Sequence, residues 1–432
     1  MFPEYGISGR LIGREHASYY TEMIPDPISH TSFCPCAEDK PAPGQEVLYR
    51  LSCIAAKNAI YVAANMADRQ PCLRAKDLDC PITGHYQYNT EVVFDKTGCL
   101  VAKYHKQHLF LGEKLKFDTP KTVEHSYFDT DFGRFGLMIC FDAVYKSPAV
   151  ELVTDYNVTD VIFSTAWMNV FPHFVSVAYH SGWARTLRVN YLSSNLHYVS
   201  SRFVGSGIFS PSGVIAYTYN LTSPMGQLVV AKVPINKRHS IDGLPKIEIS
   251  STGLDDSYSF KSKVFGDHYH FVPLTGLAGN RSVCYGSVCC YLEFSRSYSE
   301  DYYALGAFND MHYLEGTYYL EVCILMQCAG PKDCSNNHAL PSVTNFISYN
   351  LTGIMNTMHA YPEVITPDFN FTSNWKFSDS GFVKSISASD SKISSVVLMG
   401  RNFDKDPISE TTANLGNACY LMLPLLIIAY IV

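Results

Sequence analysis

The sequence predicts a layered α/β domain over residues 1–235, followed by a β-rich, disulfide-stapled domain over residues 255–408. Three observations carry this. Apolar strand-like runs alternate with helix-spaced stretches through the first region, with hairpins inserted between them. After Ile235 the pattern breaks, and residues 236–254 are polar and punctuated by Pro and Gly, as a linker is. From Tyr285 onward, short aromatic strands and closely spaced cysteines replace the helical spacing.

In chain order, residues 1 to about 45 are rich in Pro, Gly and Ser and read as loop with short helix. Glu46 to Asn58 has helical spacing, with Val47, Leu48, Leu51, Ile54 and Ala55 on one face. Ile60 to Asn65 reads as a buried strand. Tyr86 to Phe94 and Leu100 to Tyr104 form a hairpin around the turn Lys96-Thr97-Gly98. His105 to Gly112 is a polar loop. Tyr127-Phe128 and Phe135 to Cys140 are the next strands. Within the latter, Leu137, Met138 and Ile139 form the continuous apolar run of a strand buried on both faces. Pro148 to Asn157 reads as a helix, Val161 to Ser164 as a buried strand, Phe174 to Asn190 as a long helical stretch and Tyr191 to Asn195 as a strand. Gly207 to Ser210, Val214 to Tyr219 and Gln227 to Val233 read as further strands.

With 432 residues, 47% of them hydrophobic, the chain is long enough for two cores, and a net charge of −7 without a basic run argues against a nucleic-acid partner. The 14 cysteines include Cys34 and Cys36, Cys72 and Cys80, Cys289 and Cys290, and Cys323, Cys328 and Cys334; their spacing lacks paired C-x2-C units, so disulfides are expected rather than zinc. Five glycosylation acceptors occur, at Asn157, Asn220, Asn280, Asn350 and Asn370. Residues 409–432 end in an apolar run from Tyr420 to Val432, too short to span a bilayer and without a basic flank. Preceded by Ser409-Glu410-Thr411-Thr412-Ala413-Asn414, the run matches a removable GPI-anchor signal. These features together point to an extracellular or cell-surface protein. The first residues, Met1 to Gly6, are not a signal peptide.

Cys140 ends the apolar strand, where open α/β sheets place their sites. Alone it also reads as a buried small hydrophobe or half of a disulfide. Phe2-Pro3-Glu4, the segment Tyr104-His105-Lys106-Gln107-His108-Leu109-Phe110, and Ile139-Cys140-Phe141-Asp142 together resemble the nitrilase, or carbon–nitrogen hydrolase, superfamily. The vanin (pantetheinase) and biotinidase branch is similar over nearly the whole chain. It is matched by Tyr86-Gln87-Tyr88-Asn89-Thr90, Thr165-Ala166-Trp167-Met168-Asn169-Val170, Arg188-Val189-Asn190 and Gly205-Ser206-Gly207-Ile208. The resemblance implies a four-layer α-β-β-α sandwich, a Glu4-Lys106-Cys140 triad and a cofactor-free amidase acting through a thioester. Glu4 would be the general base, while Lys106 and a backbone N–H near Phe141 would hold the oxyanion. The implied substrate is a small amide, pantetheine, split into pantothenate and cysteamine; a biotin amide is the alternative, and no residue separates the two.

Related chains carry a signal peptide, a first strand and a first helix before the Phe-Pro-Glu segment. The domain is therefore expected to be N-terminally truncated, with Glu4 near a free terminus and part of a sheet layer empty. A non-catalytic cell-surface binding protein is the contrasting reading. Each residue has a plainer alternative too. Glu4 and Lys106 read as solvated loop charges. Glu113 stands where relatives often carry a second glutamate, but equally reads as a surface charge. Trp167 reads as a pocket wall or a core tryptophan. His105 and His108, like the dispersed His173, His180 and His197, are expected to make hydrogen bonds rather than bind metal. With Cys419 in the tail and Cys140 as nucleophile, twelve cysteines remain for six bridges.

Overall fold

The computed structural model describes residues 1–27, 32–236, 259–371, 375–378, 382–385 and 392–407. The linker from residue 237, the tail from residue 408 and Cys419 lie outside the described residues. After the short helix α1 (Gly13–Ser18) and the two-residue strand β1 (Thr21–Glu22), helix α2 (Glu46–Asn58) leads into three long strands. These are β2 (Val62–Pro71), β3 (His85–Phe94) and β4 (Leu100–His105), and with β1 they form one sheet in the order β1-β2-β3-β4. The second sheet holds β5 (Tyr127–Thr130), β6 (Gly133–Ile139), β7 (Asp160–Thr165), β8 (Asn190–Asn195), β9 (Ser206–Ser210) and β10 (Gly213–Thr218). Its order is β10-β9-β8-β7-β6-β5, with β6, β7 and β8 parallel at the centre. The apolar run of β6 is buried throughout, as a parallel strand covered on both faces requires.

Leu48, Leu51 and Ala55 of α2 cover one face of the first sheet through Val62, Ala64, Met66, Val92 and Phe94. The opposite face, through Ala63, Val93, Ala102 and Tyr104, meets the second sheet. Beyond that sheet, after the short α3 (Glu151–Thr154), lies α4 (Ser176–Leu187), completing four layers, α-β-β-α. A cavity of about 370 Å³ lies between the two sheets beside Met1, lined by Tyr61, Val93, Phe128, Phe135 and Ile162 among others.

Three local expectations are corrected. Ile54 is 41% exposed. The buried face of α2 is completed instead by Ser52, whose hydroxyl donates to the Gly98 carbonyl, and by Cys53, bridged to Cys36. Gln227 to Val233 alternates like a strand but pairs with nothing among the described residues, leaving Leu228 and Val230 exposed; alternation sets the side-chain faces, but a strand needs a neighbouring backbone. The helix read over 148–157 is a wide turn at Lys146–Val150 followed by α3.

The second domain is a sandwich of two antiparallel sheets. One holds β11 (Phe260–Val264), β12 (Asp267–Pro273), β15 (Tyr302–His312), β16 (Tyr318–Cys328), β18 (Ala360–Ile365) and β21 (Ser395–Arg401). The other holds β13 (Ala278–Tyr285), β14 (Val288–Arg296), β17 (Phe346–Ile354), β19 (Trp375–Ser378) and β20 (Phe382–Ser385). Strand β16 is buried along its length and divides its side chains. Leu320, Val322, Ile324 and Met326 join the core of the first domain, while Cys323 and Leu325 point into the sandwich. Cys290–Cys323 ties the two sheets together. Five further bridges pair Cys34–Cys99, Cys36–Cys53, Cys72–Cys80, Cys284–Cys289 and Cys328–Cys334. Among the described residues Cys140 is the free cysteine. The domains meet along α4, where Gly182 lies against the Pro362 carbonyl and the Thr186 hydroxyl donates to the Ala360 carbonyl at 2.7 Å.

Candidate active site

Strand β6 stops at Ile139, and Cys140 opens a tight turn, Cys140–Val144, with a φ of +47°. A side chain in the left-handed region costs conformational energy, and such residues concentrate where a group must be aimed. The turn is organised by Asp142, fully buried. One of its oxygens accepts the Ile139 N–H at 3.0 Å and the Tyr104 hydroxyl at 2.8 Å; the other accepts the His108 N–H at 2.8 Å. A single carboxylate thus joins the Cys140 turn to β4 and to the loop that follows Lys106. Burial pushes its pKa up to about 6, with the Lys106 charge acting the other way.

Glu4, Lys106 and Glu113 meet in the interior. The Lys106 ammonium donates to Glu4 Oε1 at 2.8 Å and to Glu113 Oε2 at 2.6 Å. Glu4 is only 1% exposed, held by the Ala166 N–H at 2.7 Å and the Asn89 amide at 2.8 Å. The loose position expected of it near a terminus is therefore corrected. These bonds, together with the Phe2 N–H donated to Ala63, anchor the first residues across the end of the first sheet. Glu113 is also buried, so its reading as a surface charge is corrected. It accepts from Asn89 at 2.9 Å, from the Phe110 N–H at 2.7 Å and from the Tyr5 hydroxyl.

The two glutamates titrate in opposite directions. Burial raises both, but in Glu113 the Lys106 charge and four hydrogen-bond donors win and hold it below the ordinary carboxylate range. In Glu4 burial wins over Lys106, and the Glu113 charge adds to the rise. Lys106 stays firmly protonated, because Glu113, Glu4 and Cys140 outweigh its burial. The Cys140 thiol is pushed up by burial and by the Glu4 charge, with Lys106 opposing. The site therefore sets a thiol that resists ionisation and a carboxyl group of raised proton affinity beside a fixed cation, with Glu113 as the cation's counter-ion. A pair of acids driven apart in this way marks which one exchanges a proton.

The other sequence-predicted residues fall elsewhere. Trp167 is packed as a core residue, stacked on Tyr179 with its indole N–H donated to the Phe174 carbonyl at 2.8 Å. His105 lies between Asp68 and Glu124, each at 2.8 Å, and His108 contacts the Ser147 carbonyl at 2.7 Å. His180 meets the Ser193 hydroxyl and His197 the Ser223 carbonyl, whereas neither ring nitrogen of His173 has a partner. Asn280 and Asn370 are exposed, Asn157 and Asn220 half-buried, and Asn350 sits in the ladder between Glu293 and Lys384. Sequence reasoning missed Asn89 and Asp142 as site residues, although both stand inside motifs it quoted. A buried-strand asparagine and a turn aspartate two residues after Cys140 were the available signals.

The family described as Carbon-nitrogen hydrolase matches residues 1–169, and the Vanin C-terminal domain matches residues 258–406. Pantetheinase of Sus scrofa is 39% identical over 425 residues, covering 96% of this chain and 81% of that protein. Pantetheinase of Homo sapiens is also 39% identical, covering 100% of this chain and 84% of the relative. The chain belongs to the vanin and biotinidase family of carbon–nitrogen hydrolases. Biotinidase of Bos taurus is 32% identical over 442 residues, covering 94% of this chain and 83% of that protein. This vanin-family chain is a hydrolase of carbon–nitrogen bonds other than peptide bonds. The Vanin C-terminal match covers the sandwich, whereas the carbon–nitrogen hydrolase match ends at residue 169, within the layered domain and before α4.

Proposed function

We propose that this protein hydrolyses the linear amide of pantetheine, releasing cysteamine and pantothenate, through a thioester on Cys140. The observation that carries the reading is the split of Glu4 and Glu113 around one buried ammonium beside the free thiol. Glu4 takes the thiol proton as sulfur attacks the carbonyl carbon, and Lys106 with a backbone N–H near Phe141 faces the oxyanion. The protonated Glu4 then gives its proton to the departing amine, leaving the thioester. Water, losing a proton to Glu4, attacks the thioester, and the thiol departs with that proton to regenerate the enzyme.

The choice of pantetheine rests on relatives named Pantetheinase at 37–39% identity, against 31–32% for those named Biotinidase. The test offers the purified protein pantetheine and biotinyl-lysine and measures cysteamine and lysine release. Cysteamine release at much the higher kcat/KM is expected; preferential lysine release would move the assignment to biotin amides, and release from neither would overturn it. Six disulfides and five acceptor asparagines support an extracellular setting. Among the described residues no helix is long and apolar enough to cross a membrane. We place the protein on the outer leaflet by a GPI anchor added near Ser409. Phosphatidylinositol-specific phospholipase C should then release it from cells bearing it, whereas release by detergent alone would reject the anchor.

A further inference from the structure

We propose that Arg401, on the last strand of the C-terminal domain, is a positioning residue for the turn that carries Cys140. The proposal rests on Cys140 being the nucleophile. Like any short helical turn, Cys140–Val144 leaves carbonyls at its end that need donors from outside. The Ala143 carbonyl receives the Tyr179 hydroxyl at 3.0 Å and the Trp183 indole N–H at 3.3 Å, both from α4. The Val144 carbonyl receives Arg401 Nε at 2.8 Å, from the other domain.

Arg401 has no exposed surface, so its charge has left water entirely. Its remaining donors go to the Tyr319 carbonyl and to Asp406, at 3.1 and 2.5 Å. Its guanidinium lies over the rings of Tyr318 and Phe403, 4.9 and 4.8 Å from their centroids. Tyr318 in turn packs edge-on against Phe141 and Tyr145, at 6.4 and 6.2 Å. The backbone of Gly316 is so close that a Cβ there would stand 2.8 Å from Phe141 Cζ.

The nucleophile's turn is thus gripped from two sides. Asp142 fixes its start within the first domain, and the C-terminal domain fixes its end through Arg401 and the residues around Gly316. Packing alone does not call for a cation here, because apolar residues of similar volume often fill such a site equally well. A rigid guanidinium fork does what they cannot, holding one carbonyl at a set distance and direction. Moving that carbonyl moves the Phe141 N–H and Cys140 Sγ with it, and small misplacements at a reacting centre cost large factors in rate.

The test compares the wild type with Arg401→Met, Arg401→Lys, Asp406→Asn and Thr186→Val. The last removes an inter-domain hydrogen bond away from the turn. Alkylation of Cys140 by iodoacetamide, followed by mass spectrometry, reads the turn without any amide substrate. It therefore stands even if the proposed pantetheine activity fails. We expect both Arg401 variants to alkylate at least about tenfold more slowly, and kcat to fall in step with KM little changed. Thr186→Val should alkylate within about twofold of wild type, as additivity at separated sites requires. Should Arg401→Met not fold, Asp406→Asn, which loosens the guanidinium without removing it, should still slow alkylation. Wild-type alkylation in a folded Arg401→Met or in Asp406→Asn, or equal slowing in Thr186→Val, would overturn the proposal.

Discussion

Glu4 and Glu113 present the same carboxylate to the same ammonium, at 2.8 and 2.6 Å, yet they serve different ends. Glu113 faces donors on every side, whereas Glu4 keeps a high proton affinity beside a thiol that is itself hard to ionise. If Glu4 is the base, as proposed, the acid limb of kcat/KM should fall above the ordinary glutamate value of 4.5, since a base must be unprotonated to act and the pKa of Glu4 is raised. Glu113→Gln removes the like charge that helps raise it and leaves Lys106 to pair with Glu4, so the limb should move to lower pH in a titration of rate; an unmoved limb would detach Glu4 from the base role. Cys140→Ala should abolish turnover while circular dichroism stays native. Lys106→Ala should lose about 3 kcal/mol of transition-state stabilisation, on the order of a hundredfold in kcat/KM. The apolar run before Cys140 left its thiol open to a packing or disulfide reading, and Glu4, Lys106 and Cys140 became legible together only through the family resemblance of their three motifs. Asn89 and Asp142 were not assigned, because their worth lies in partners 24 to 85 positions away that only the folded chain supplies.

At the scale of elements, the strand and helix order of the first domain followed from apolar periodicity, since each element buries a face that its own residues declare. Periodicity failed where stability depends on a neighbour, as in the stretch over 227–233, which finds no strand partner among the described residues. It could not show links between elements either. His312, at the end of β15, joins Asp267 at the start of β12 and Glu315 before β16, at 2.8 and 2.7 Å. Around it stand Tyr318, Phe265 and the neutral His173. Burial works against its charge, but the two carboxylates prevail and lift its pKa to about 9 from 6.5. The folded value lies above the unfolded one. The link thus contributes fully below pH 6.5, by about 3 kcal/mol, and is lost as pH rises through 9. Chemical denaturation from pH 6 to 10 should show this fall, and His312→Gln should flatten it. Gly182→Ala sets two element-level effects against each other. Alanine favours the helix by about 1 kcal/mol, but its Cβ would stand 2.5 Å from the Pro362 carbonyl oxygen. Backbone cannot step aside as a side chain can, so the melting temperature should fall; a rise would mean the domains can separate slightly at no cost.

For the whole molecule, α4 is the shared member, lying on β8 and β9 with one side and under β18 with the other. Its residues are buried almost around the full circumference, including Tyr179, His180 and Trp183. A helix buried on nearly every side needs neighbours on every side. Residues 1–236 produced alone should therefore aggregate or bind hydrophobic dye, whereas co-production with residues 259–407 should restore a soluble complex; a monomeric, dye-free first domain would contradict this. The same helix sets a timetable during synthesis. Its last residue, Leu187, is made roughly 170 residues before β18 begins to leave the ribosome, and at about 5–20 residues per second that interval is on the order of ten to thirty seconds. For that time the outer face of α4 has nothing to lie against, and the end of the Cys140 turn has no Arg401 to hold it. The nascent hydrolase is thus both sticky and unfinished until its final strand emerges, which makes the closing of the domain interface the step at which the chain becomes safe and competent together.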